Sequence, residues 1–160
     1  MNKRQRAILV DFITVIVITA IAVVAMINFK DWVNRSEAMR AMEHLRQRIK
    51  QYRQGHGSVP SGSWVDGQVE SLPGSARLGS LRYRARWITF ESSPDEILAY
   101  AEANYNSLLI GKGYIVLRLG AVLSDKGRVE WMGKQEFEAL LAQQQSPEET
   151  EAGGEGSRRL

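Results

Sequence analysis

The chain has 160 residues, 21 Lys and Arg against 18 Asp and Glu, a net charge of +3 and 44% hydrophobic residues. It contains no cysteine, which excludes disulfides, thiolate zinc sites and cysteine nucleophiles and leaves the compartment open. Charge is unevenly spread: Lys3, Arg4 and Arg6 open the chain, while Glu148, Glu149, Glu151 and Glu155 crowd its end, as solvated termini do.

Residues 1–6 read as a basic leader. Residues 7–29, AILVDFITVIVITAIAVVAMINF, are apolar except for one ionisable side chain, Asp11. As a helix this run rises roughly 34 Å at about 1.5 Å per residue, enough for a hydrocarbon core of about 30 Å. It therefore reads as a transmembrane helix. The rival, a cleaved secretory signal, normally has an apolar region of only about 7 to 15 residues. Lys30, Arg35, Arg40, Arg46, Arg48 and Lys50 lie beyond the span, so the positive-inside rule does not orient it. A short leader is easier to keep in the cytoplasm than a whole head, which favours an outward-facing head.

Residues 30–54 change to amphipathic. Ala38, Met42, Leu45, Ile49 and Tyr52 step by helical spacing along one stripe, with charged residues on the other faces. No Gly or Pro interrupts residues 7–54, so one helix is expected, half anchor and half stalk, ending where Gly55, Gly57 and Pro60 follow. The stripe packs on the head's own sheet, or pairs with a partner as a coiled coil. The stalk's basic face has anionic lipid as a further possible neighbour.

Residues 55–145 form the head, one α+β domain with a modest core. Residues 55–79 are rich in Gly, Ser and Pro and read as an irregular connection anchored by Trp64 and Val65. Residues 81–90 alternate as a half-buried strand; 96–103 fit a strand or a short helix; 113–125 and 127–133 read as a hairpin turning at Ser124 to Gly127. Residues 134–145 form a short amphipathic helix with Phe137, Leu140 and Leu141 on its apolar side. Residues 146–160, acidic and Gly-rich, read as a disordered tail.

The chemistry-bearing residues are few. Asp11 sits where a carboxylate costs a few kcal/mol, so it is protonated, paired, or close enough to the headgroups to be hydrated beside the leader. Arg77, Arg82, Arg84 and Arg86, interleaved with Tyr83 and Trp87, are candidate contacts for a polyanion, or simply the solvated face of a strand. His44 and His56 are isolated, and no catalytic motif accompanies them. The glycines of GKGYIVLRLG precede a strand rather than open a helix, unlike a phosphate site. Asp66 and Glu70 match no calcium loop. No catalytic residue, cofactor, metal or small-molecule substrate is expected, and nucleic acid is an unlikely partner.

A long helix, half apolar and half amphipathic, followed by a small antiparallel sheet, resembles type IV pilins and the pseudopilins of type II secretion. Asp11 falls at the fifth position counted from Ala7, where that family carries a glutamate. Tyr52, Gly57 and Pro60 are similar to the residues that close the pilin helix. VLSDKGRVEWMGKQEFEALLA resembles the C-terminal part of a prepilin-like group with a His-then-Asp-Gly signature, here Asp125-Lys126-Gly127 with no histidine after His56. The resemblance implies processing between Arg6 and Ala7 with methylation there, although Arg6 stands where the family has glycine, and Asn28 where it has a helix-kinking proline. It further implies a pilin-like α+β fold and a single-pass protein of the inner (cytoplasmic) membrane. Its partners would be other pilin-like subunits met through the anchor, and its function structural: secretion or filament assembly, with Asp11 accepting a neighbour's N-terminus. The alternative function is a non-polymerising tether whose basic head captures a polyanion or docks on an envelope complex.

Overall fold

A computed structural model describes residues 3–89, 91–105, 111–124, 127–145 and 149. One helix, α1 (Lys3–His56), carries both the apolar run and the amphipathic stripe without a break. It begins inside the basic leader and outlasts the expected end by two residues. Gly57 stops it: its φ is +75°, and its N–H donates to the Arg53 carbonyl at 2.8 Å, an αL closure that glycine makes cheaply.

The first half of α1 stands clear of everything else, with side chains such as Ile8, Phe12, Ile18, Ile21 and Met26 more than 60% exposed. It is long and apolar enough to cross a membrane. The second half buries its stripe. Ala38, Ala41, Met42, Leu45 and Ile49 are fully enclosed, each larger side chain contributing about 1.5–3 kcal/mol relative to exposure.

They pack on a four-stranded antiparallel sheet in the order β1-β2-β3-β4, comprising β1 (Leu81–Tyr83), β2 (Ile97–Asn104), β3 (Lys112–Arg118) and β4 (Glu130–Gly133). Leu98, Ala99, Ala101, Ile115 and Leu117 belong to the core shared with α1. On the opposite face Ile97, Val116 and Met132 form a smaller core with Phe137 of α4 (Lys134–Gln144), whose ring stacks on Tyr114 at 3.8 Å and leans on Tyr100 at 4.9 Å. The architecture is α+β, a long helix on a small antiparallel sheet, and it is compatible with a pilin-like fold.

Three local expectations are corrected. The connection at 55–79 is not irregular throughout: Ser61 caps α2 (Gly62–Val69) by accepting from Trp64 N–H, Val65 is buried, and a 3-10 turn follows at Ser75–Arg77. The segment 96–103, a candidate strand by its sequence, is one, paired antiparallel with β1 on one side and β3 on the other. The strand expected over 81–90 stops at Tyr83, where Arg84 takes φ −102° and ψ 14° and a 3-10 turn, Ala85–Trp87, ends the period-two pattern.

The third correction concerns the hairpin. β3 ends at Arg118, and α3 (Leu119–Leu123) begins the link to β4. The amides of Leu119 and Gly120 donate to Glu96 and Pro94, tying off the strand, while Leu119, Ala121 and Val122 turn inward beneath α1. A continuous apolar run suits a buried helix as well as a strand, and burial decided between them. Of the expected turn, Asp125 and Lys126 lie outside the described residues. Gly127 approaches Ala121 so closely that a Cβ would collide with it. Apart from Glu149, the tail also lies outside the described residues.

Candidate functional site

Asp11 sits on the exposed apolar half of α1. Two other polar side chains of α1 satisfy themselves on their own helix: Thr14 Oγ1 donates to the Val10 carbonyl at 2.8 Å and Asn28 Nδ2 to Val24 at 2.9 Å. A carboxylate has no donor to offer a carbonyl. Among the described residues nothing bonds or ion-pairs with Asp11. The Arg6–Ala7 junction is continuous helix.

The four arginines do not assemble into one groove. Arg77, in the 3-10 turn, reaches across to Glu37 of α1 at 3.3 Å, both side chains being about half exposed. Arg82 projects from β1 beside Tyr100, its register partner. Arg86 lies over the ring of Trp87, 5.3 Å from its centroid.

Arg84 is the correction among them: it is 3% exposed. Its Nε and Nη2 donate to the Glu149 carboxylate at 2.5 and 2.8 Å, Nη1 to the Ile97 carbonyl at 2.8 Å and Nη2 to the Gln144 carbonyl at 3.2 Å. With four of its five N–H groups engaged and the side chain enclosed, this guanidinium is closed to a polyanion. It clamps the end of α4 and one tail residue onto the sheet.

Sequence reasoning also missed Arg46, assigned to a charged face of the stalk. It is 9% exposed, pairs with Glu43 at 2.6 Å and donates to the Ala121 carbonyl at 2.9 Å. The signal was present: position 46 follows Met42 by four and precedes Ile49 by three, so it lies on the apolar stripe.

The remaining candidates stay apart. His44 is exposed, and His56 stacks on Tyr52 at 4.1 Å with Nδ1 2.9 Å from the Tyr52 carbonyl. Asp66 and Glu70 sit one turn apart at the end of α2, and among the described residues no group of three or more potential ligands could hold a metal. At the base of the head, Asn28 Oδ1, Asp31 Oδ2 and Tyr105 Oη are buried without a hydrogen-bond partner among the described residues. Burial, with a further push from Asp31 against the pull of Arg35, holds the Tyr105 phenol above its ordinary pKa.

Comparison with family models, with curated proteins and with solved structures finds no match for this chain.

Proposed function

We propose that this chain is a membrane-anchored structural subunit, pseudopilin-like or minor-pilin-like, that works in a secretion or filament assembly apparatus and performs no reaction. The observation that carries the reading is α1 itself. One unbroken helix lays its amphipathic half on the head's own sheet and leaves its apolar half uncovered. In this reading the anchor sits in the cytoplasmic membrane with the leader inside and the head outside. Anchors of neighbouring subunits pack side by side, with Asp11 receiving a neighbour's cationic N-terminus.

Mass spectrometry of the N-terminus of protein recovered from membranes tests it. A chain beginning at Ala7, methylated or not, supports processing and assembly. A chain beginning at Met1 or Asn2 supports the second reading, a permanent tether that never polymerises. The observation favouring that second reading is Arg6, which stands where the processing peptidase of the resembled family requires glycine.

A further inference from the structure

A groove of ≈ 620 Å³ runs along the stalk just beyond the anchor, between α1 and the segment leading into β4; Trp32, Arg35, Met39, Arg40, Arg128 and Val129 line it. We infer that this groove binds the phosphate headgroup of an anionic membrane lipid, an assignment that rests on the membrane-anchored reading of α1.

Depth is the first argument. Arg35 follows Phe29 by six residues, roughly 9 Å along a helix axis at about 1.5 Å per residue. Helical side chains lean toward the N-terminus, here back toward the bilayer, and an arginine stem extends several ångströms. That brings the guanidinium to the headgroup layer, which occupies roughly 5–7 Å on each side of the hydrocarbon core. Trp32 lies between the two, 60% exposed and stacked against Phe29 at 6.1 Å, in the position interfacial tryptophans take.

Charge is the second. Three arginines face the groove with one carboxylate, Glu43, and that carboxylate is taken by Arg46 at 2.6 Å. Among the described residues no carboxylate pairs with Arg35, Arg40 or Arg128. Arg35 lies over the ring of Trp131 at 4.8 Å, which fixes its plane and leaves its N–H edge available to a phosphate oxygen. Met39 and Val129 supply an apolar wall continuous with the anchor.

The test uses the full chain reconstituted in bilayers of equal parts phosphatidylcholine and phosphatidylglycerol, with native mass spectrometry of the lipids it retains. Phosphatidylglycerol should be enriched about fivefold for each arginine engaged. Arg35→Gln should remove most of that enrichment, and adding Arg40→Gln with Arg128→Gln, both on exposed side chains, should abolish it. Arg82→Gln with Arg86→Gln should leave it intact. Equal retention of the two lipids by a properly inserted chain overturns the headgroup site and leaves the anchor standing. A chain that does not insert at all overturns both. Displacement of phosphatidylglycerol by excess inorganic phosphate, but not by chloride of equal ionic strength, assigns the groove to free phosphate and overturns the lipid assignment.

Discussion

The Arg84 guanidinium and the Glu149 carboxylate meet at 2.5 Å with side chains 4% and 8% exposed, joining the end of β1 to a residue of the acidic tail sixty-five positions later. Removing one partner strands the other charge in the interior, which costs about 3–5 kcal/mol, whereas replacing both with apolar groups of similar volume is often neutral or better. Glu149→Ala should therefore lower the melting temperature by about 10 °C, at roughly 2–4 °C per kcal/mol for a chain of this size. Arg84→Met combined with Glu149→Leu should restore most of the loss. Tryptophan fluorescence melts of the full chain in mild detergent measure both. A Glu149→Ala chain melting like the wild type would show that the pair carries no stability.

Two glycines separated by one residue should respond to alanine with opposite signs. Gly55 lies inside α1 without a positive φ, and a Cβ there meets nothing within 4 Å. Gly55→Ala should stabilise by about 0.5–1 kcal/mol, through helix propensity and a less flexible unfolded chain. Gly57 holds φ +75° in equally open space, so its alanine variant encounters backbone strain alone and should destabilise by about 1–2 kcal/mol. The same melts should show the shifts diverging; shifts of one sign would mean that the helix does not close at Gly57.

Alkaline conditions should weaken the head through Tyr83. Burial first, and then the neighbouring Tyr52, push its phenol well above the ordinary tyrosine pKa, and its Oη donates to the Pro60 carbonyl at 3.0 Å. An acid whose folded pKa is raised contributes its stability in full below the unfolded value, about 10 for tyrosine. That stability is lost as pH climbs from there toward the folded pKa, because the unfolded chain releases the proton first. Stability should thus be level with respect to this group near neutrality and fall above about pH 10. Tyr83→Phe should cost about 1 kcal/mol at neutral pH for the lost hydrogen bond and flatten the alkaline fall. An unchanged alkaline slope in the variant would shift the effect to other groups.

The parts of the fold that were legible in the sequence are those set by a long period. The apolar run of α1, the stripe from Ala38 to Tyr52 and the helix carrying Phe137 all extend over several turns, and each is helical where the sequence put it. The short β-structure was harder to read because long-range partners set its ends. Arg84 leaves the strand pattern to reach Ile97, Gln144 and Glu149, none of them near in sequence. Leu119 turns into a helix because Glu96 and Pro94 take the next amides. The arginines misled for the same reason: alternation says which side of a strand a residue occupies, not whether a tail carboxylate waits there. The lipid-facing groove was equally hidden, since Arg128 joins Arg35 and Arg40 only once the sheet is laid on the stalk.

Asp11 gives the most direct test of assembly. The chain has no native cysteine, so Ile16→Cys, on an exposed anchor position, reports anchor-to-anchor contact by disulfide formation without competition. Asp11→Leu should leave the protein in the membrane fraction, because a carboxylate opposes insertion by up to about 3 kcal/mol at the helix centre and by less near its end. If the carboxylate receives a neighbour's amine, its loss removes a charged hydrogen bond worth about 1.5–3 kcal/mol, and crosslink yield should fall at least about tenfold at 1.4 kcal/mol per decade. Asp11→Glu keeps the charge at the resembled family's own residue and should keep the yield. A leucine variant that crosslinks like the wild type would mean that the carboxylate is hydrated beside the leader and has no part in subunit packing, and the anchor would then act as a tether alone.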